Sequence, residues 1–263
     1  MLLLVETFAT FVHERYGSDI VHLLERMDLG KEASVGGSEV GEPRFEGQPV
    51  IIVHGITNKI SRFNGIIREL HKHGNKNGVF GTTWGDAGVT PVGLVEMKCS
   101  YVKQLRQLII AVYEYIGQKV DIIAYSMGSP LLFWEVYAST VAKLLVPPLT
   151  ELIDTFLSVA GSNSGSSLCF VPIPVGTCNK RNGLHCDSEF LNDINSQTRY
   201  EGEHIFSIFS THDDKVGYRT CGGKLTSPIL KEDGYVKKSH LNHDQVMDST
   251  HKIQINLIQK HMP

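Results

Sequence analysis

The chain has 263 residues, of which 41% are hydrophobic and 20% charged, with 25 Gly and 10 Pro. That length holds one sizeable hydrophobic core, and the composition is that of an ordinary globular protein. A formal net charge of −3 gives no electrostatic reason to expect binding to nucleic acid or to an anionic membrane surface. No apolar run reaches the roughly 18 to 20 residues of a membrane-spanning helix, so the chain reads as a soluble protein without a transmembrane segment.

In chain order, Met1-Leu-Leu-Leu-Val5 resembles the start of a secretory apolar region, but Glu6 interrupts it and no basic residues precede it. Phe8, Phe11, Val12, Ile20, Leu23 and Leu24 then recur at helical spacing and predict one amphipathic helix from Phe8 to Arg26. A polar, Gly-rich stretch from Lys31 to Gln48 separates it from a run of β-branched residues, Pro49-Val-Ile-Ile-Val53. Such a run suits a strand buried on both faces. The turn His54-Gly55 follows, then a helical pattern from Phe63 to His73 and a strand from Val79 to Trp84. A strong helix is expected over Val102–Ile116 and a buried strand over Val120–Ala124. The next helix should run from Leu131 to Leu145, stopped by Pro147-Pro148. Strands follow at Thr155–Ala160 and at His204–Ser210, the last clear one, with a closing helix over Gln245–Lys260. This alternation predicts an α/β fold, a mostly parallel sheet with helices on both faces. The expected organisation is one domain over 1–263, with an N-terminal helical extension 1–47 and a catalytic core 48–263.

The chemistry concentrates at Val120-Asp-Ile-Ile-Ala-Tyr-Ser-Met-Gly-Ser129. A serine nucleophile needs its oxygen at the tip of a tight strand-to-helix turn, with small residues two places before and after it. Ala124 and Gly128 fill those places around Ser126. A serine that only caps a helix explains Ser126 but not its small neighbours. The turn leaves the Met127 amide free to stabilise an oxyanion, and the Ile56 amide, beyond the His54-Gly55 turn, is the candidate second donor. His54 is expected to order that loop and not to act as a base.

On this fold the nucleophile, the acid and the histidine follow one another in the chain. Asp213 and Asp214 both lie just past the strand ending at Ser210, and Asp213 is preferred because Val216 can turn back beneath it. Of the later histidines, His251 and His261 fall in or after the closing helix. His243, just before that helix, is preferred to His240 as the base.

Four of the five cysteines, Cys169, Cys178, Cys186 and Cys221, lie in a loop-rich region, which favours disulfides formed in an oxidising compartment. Their connectivity is open, and Cys99 is the candidate leftover thiol. A zinc site from Cys178, His185 and Cys186 has none of the usual ligand spacings. Between Gly161 and Gln197, Phe170 to Val175 form an apolar patch, either a lid meeting lipid or a cover for the core.

The segments Pro49 to Asn58, Thr82-Thr-Trp-Gly85, Ala124-Tyr-Ser-Met-Gly128, Ser158-Val-Ala-Gly-Ser162, Ser207 to Asp213 and Leu241-Asn-His-Asp244 together resemble the class 2 lipases, Bacillus-type and nematode, of the α/β-hydrolase superfamily. Tyr16-Gly-Ser-Asp19, Asp28-Leu-Gly30 and Ala33 to Gly37 are similar to the nematode branch. The resemblance implies carboxylic-ester hydrolysis in lipid catabolism, with Ser126, Asp213 and His243 as catalytic triad and the Ile56 and Met127 amides as oxyanion hole. It also implies a secreted, disulfide-bearing enzyme acting on a small-molecule or lipid ester, with no metal or organic cofactor. The rival readings are a non-catalytic binding protein on the same fold, and an amidase or thioesterase using the same three residues.

Overall fold

The computed structural model describes residues 6–38, 45, 47–132 and 149–262. Its centre is a seven-stranded sheet built from β1 (Ser34–Val35), β2 (Val50–Val53), β3 (Val79–Thr82), β4 (Val120–Tyr125), β5 (Ile153–Val159), β6 (His204–Ser210) and β7 (Gly234–Lys238). The spatial order is β1-β3-β2-β4-β5-β6-β7. Every neighbouring pair is parallel except β1 and β3, which are antiparallel.

The helices are α1 (Glu6–Tyr16), α2 (Ser18–Glu25), α3 (Asn64–Lys72), α4 (Cys99–Ile116), α5 (Gly128–Leu131), α6 (Glu189–Ile194), α7 (His243–Ser249) and α8 (His251–Lys260). Because side chains alternate along a strand, each central strand feeds two cores. Ile51, Val53, Ile122, Ala124 and Phe156 pack with α1, α2, α4 and α6 through Phe8, Leu24, Leu108 and Phe190. Val50, Ile52, Ile123, Tyr125 and Leu157 pack on the other face with α3, α7 and α8 through Ile66, Leu70, Val246 and Ile258. This is the mixed α/β architecture expected from the sequence, and it explains why the central strands read as continuous apolar runs.

Several boundaries differ from the expectations. The N-terminal helix is two helices, because Gly17 takes a φ of 88° that no continuing helix permits. The stretch after Lys31 is no mere linker, since Ser34 and Val35 pair with Thr82 and Gly81. The closing helix begins at His243 and is interrupted at Thr250. Besides β1, two further elements went unread, α6 and the edge strand β7, which alternates half-buried and exposed residues and carries two lysines. The helix expected over Leu131–Leu145 starts earlier, at Gly128. From residue 133 it lies outside the described residues, as do Pro147-Pro148 and Met1 to Val5.

Disulfides join Cys169 to Cys178 and Cys186 to Cys221, and Cys99 is free and exposed. The pairing removes both thiolates from the conceivable zinc site at Cys178, His185 and Cys186, so that set cannot bind a metal as thiolate ligands. Two disulfides are the pattern of a protein matured in an oxidising compartment.

Candidate functional site

Parallel strands bring their C-terminal ends to one edge, where open α/β sheets place their sites. Here β2 delivers His54 to Ile56, β4 delivers Ser126, and β6 delivers Asp213 to that edge. Ser126 sits between β4 and α5 with a φ of 56°, an unusual conformation for a residue with a side chain. Its N–H donates to Val159 O at 3.0 Å, and the Ser129 N–H donates back to its carbonyl at 3.1 Å. The turn is therefore pinned from both sides.

The small residues around it have a steric reason. A Cβ on Gly128 would overlap the His54 carbonyl oxygen, and one on Gly55 would stand 2.9 Å from the Ser126 Cβ. Only glycine lets the two turns approach this closely.

His243 is the first residue of α7, whose start is fixed by a reciprocal cap between Asn242 and Gln245. Its Nε2 lies 2.9 Å from Ser126 Oγ and its Nδ1 2.7 Å from Asp213 Oδ2. All three side chains are buried. Asp213 Oδ1 accepts from the amides of Lys215, Val216 and Gly217 at 3.0, 2.9 and 3.3 Å. The turn at Val216 thus holds the carboxylate with its second oxygen facing the imidazole. Such a series can pass a proton from hydroxyl to ring while the carboxylate stabilises the cation that forms. Asp214, the alternative, instead accepts the His243 backbone N–H at 2.9 Å. His240 stands apart, its ring tilted against His212 at 4.6 Å.

Among the described residues, neither the Ile56 nor the Met127 N–H donates to a protein acceptor. Both flank Ser126, one through the Gly55 contact and one as its chain neighbour. His54 behaves as expected of a loop-ordering residue. Trp84 N–H donates to its Nε2 at 2.9 Å, which leaves the proton on Nδ1 to donate to Gly55 O at 2.6 Å. The Trp84 indole N–H donates to the His54 carbonyl, and the two rings stack at 4.9 Å.

Full burial pushes the His54 imidazole down to about 4. Its unfolded value is higher, so the unfolded chain binds more protons between the two, and stability is lost as pH falls through that window. The loss at pH 4 relative to pH 7 should be about 3 kcal/mol from this group. Urea unfolding of wild type and His54→Gln at both pH values measures it. An equally steep acid loss in the variant would show that His54 is not the cause.

Sequence reasoning missed a surrounding network. The Tyr125 hydroxyl donates to Asp244 Oδ1 at 2.9 Å, Lys215 Nζ pairs with Asp244 Oδ2 at 2.8 Å, and the Tyr125 ring lies 4.9 Å from that of His243. Burial, and then the Asp244 charge, raise the Tyr125 pKa and keep it a donor. Their adjacency in sequence to Ser126, His243 and Asp213 was the available signal.

No curated protein sequence matches the chain. Among solved structures, lipase BlEst2 of Bacillus licheniformis in its mature form superposes with a TM-score of 0.56 at 14% identity, over 86% of this chain and 96% of that one. A monoacylglycerol lipase of Paleococcus ferrophilus gives 0.53 at 14%, over 88% and 98%. Aspergillus fumigatus lipase B gives 0.55 at 15%, over 79% of this chain and 48% of its own, so the chain spans about half of that protein. These likenesses show a shared fold. The class 2 lipase family model matches residues 47–256, a span that holds Ser126, Asp213 and His243. The chain belongs to the class 2 lipases and is a carboxylic ester hydrolase of the α/β-hydrolase superfamily.

Proposed function

We propose that the protein hydrolyses lipid esters through an acyl-enzyme on Ser126, with His243 as base and Asp213 as its orienting carboxylate. The continuous hydrogen-bonded series from Ser126 Oγ to Asp213 carries this reading. His243 takes the Ser126 proton as the oxygen attacks the ester carbonyl, and the Ile56 and Met127 amides receive the oxyanion. The histidine then protonates the leaving alcohol, and water activated by the same ring releases the acid. A fluorophosphonate probe should label the wild-type protein once, on the peptide containing Ser126. No label, or a label elsewhere, would overturn the assignment, and a rate on matched amides equal to that on esters would favour the amidase reading.

The substrate surface has a specific support. Phe170, Val171, Ile173 and Val175 are exposed, as are Val89, Val92 and Leu94 on a second loop. Thr177 ties the loops together, its N–H donating to Gly93 O at 3.2 Å and its hydroxyl to Val95 O at 2.8 Å. One loop springs from Ser166 and Ser167, which bond the Lys215 and Val216 carbonyls beside Asp213. The other follows Gly88, which packs on the Thr57 carbonyl beside Ile56. Both apolar loops thus rise from the walls of the site, and the Cys169–Cys178 bridge staples one of them. Contiguous exposed apolar surface of this kind meets a lipid or emulsion interface. Phe170→Ser with Val171→Ser should lower turnover of emulsified triacylglycerol about tenfold or more, by the loss of two buried apolar side chains, while sparing a soluble short-chain nitrophenyl ester. Equal losses on both substrates would refute interfacial contact.

No helix among the described residues is long and apolar enough to cross a membrane. With two disulfides, the reading is completed by secretion into an oxidising medium. We propose that the N-terminal extension 1–47 and the core 48–263 form one domain, since β1 joins the sheet and Phe8, Val12 and Leu24 enter its core.

A further inference from the structure

At the sheet edge opposite Ser126, the starts of β5 and β6 and the end of α8 meet. Asp154, His204 and His261 converge there, each offering one ligand atom, all within 4.8 Å of one another. His261 Nε2 stands 3.2 Å from Asp154 Oδ2, and the His204 and His261 rings stack at 3.8 Å and 19°. Among the described residues, the His204 ring makes no hydrogen bond to any protein group. Thr155, in register with His204, donates its hydroxyl to Asp154 Oδ2 at 3.2 Å and orients that carboxylate.

We propose that Asp154, His204 and His261 form a binding site for a divalent cation of the zinc class. Ligands about 2.0 to 2.2 Å from a tetrahedral zinc ion stand roughly 3.3 Å apart. The Asp154 and His261 atoms already have that spacing, and a rotation of the half-buried His204 side chain brings in the third. Two imidazoles and one carboxylate select zinc or a similar transition ion over magnesium or calcium, which favour all-oxygen sites.

Of the charges nearby, Lys119 is already paired with Glu203, the neighbour of His204, at 2.8 Å, so it does not leave an uncompensated positive charge beside the three ligands. The fourth position falls to water. The ion would join two parallel strands to the C-terminal turn of α8, whose helical pair begins with His243, and so brace the fold without touching the reaction. This site goes beyond the ester-hydrolase reading and does not depend on it.

Isothermal titration of the chelator-treated full chain with zinc chloride tests the proposal. One saturable site is expected, with a rise in thermal midpoint as zinc is added. Asp154→Asn should weaken binding by more than about tenfold, and His204→Gln with His261→Gln should abolish both binding and the thermal shift. Zinc-free ester hydrolysis by these variants should match wild type, which also reports that they fold. Absence of saturable binding by wild type overturns the proposal, leaving an imidazole–carboxylate pair. Undiminished binding in the double variant also overturns it, by locating the ion elsewhere, for instance at the His212–His240 pair.

Discussion

Alanine in place of Ser126 is expected to lower kcat for a soluble nitrophenyl ester by about 10⁴- to 10⁶-fold, the scale seen when a serine hydrolase loses its nucleophile. Each tenfold is about 1.4 kcal/mol of barrier, so the hydroxyl is being assigned roughly 5 to 8 kcal/mol of transition-state stabilisation. Folding should change far less, because the substitution removes one hydroxyl and leaves the turn intact. The Ser126 φ of 56° is held by the Val159 and Ser129 backbone bonds, neither of which uses the side chain. One lost hydrogen bond to His243 Nε2 is worth about 1 kcal/mol, so the thermal midpoint should move by only a few degrees. Steady-state kinetics and a thermal melt on the same preparation separate the two quantities. Wild-type turnover in the alanine variant would dismiss Ser126 as the nucleophile, whereas a collapsed melt would show that the hydroxyl is structural.

The core of this fold was legible because its central strands are buried on both faces. Val50 to Val53, Val120 to Ala124 and His204 to Ser210 read as short apolar runs for that reason, and their C-terminal ends then located the site. The sheet margins gave no such signal. In β7, Tyr235 is exposed beside Gly234, Lys237 and Lys238, a composition that protects an edge strand and reads as loop. In β1, two residues are too few for any period. The helix breaks at Gly17 and Thr250 were read through, since apolar residues recur at roughly helical spacing on both sides of each. Ser126 could be found from local sterics, for its glycine and alanine neighbours record the close approach of Val53 and His54. Cysteine pairing could not, because Cys186 and Cys221 are brought together by loops that carry no periodic signal. Of the Tyr125–Asp244–Lys215 network only the closeness of its members in sequence to Ser126, His243 and Asp213 was visible, since its bonds depend on where α7 packs against β4 and the loop after β6.

Asp213 and Asp214 are chemically identical neighbours, and the backbone separates their tasks. Asparagine at 213 should cost about 10³- to 10⁴-fold in kcat, although its shape is preserved. Oδ1 of Asp213 faces three amide donors, so the asparagine must keep its carbonyl oxygen there. Its amino group then faces His243 Nδ1, which can pair with it only as an acceptor. The ring proton is driven to Nε2, pointing at Ser126 Oγ, and the base can no longer take the hydroxyl proton. Asparagine at 214 meets no such conflict. Its side-chain oxygen still accepts the His243 backbone N–H, and the residue is otherwise solvent-exposed. Less than about tenfold loss is expected there, as for a neutralised but still hydrogen-bonded surface group. Measuring kcat of Asp213→Asn and Asp214→Asn at pH 8 decides between them. If the 214 variant is the crippled one, the carboxylate that orients His243 is Asp214, and the tautomer argument falls with Asp213.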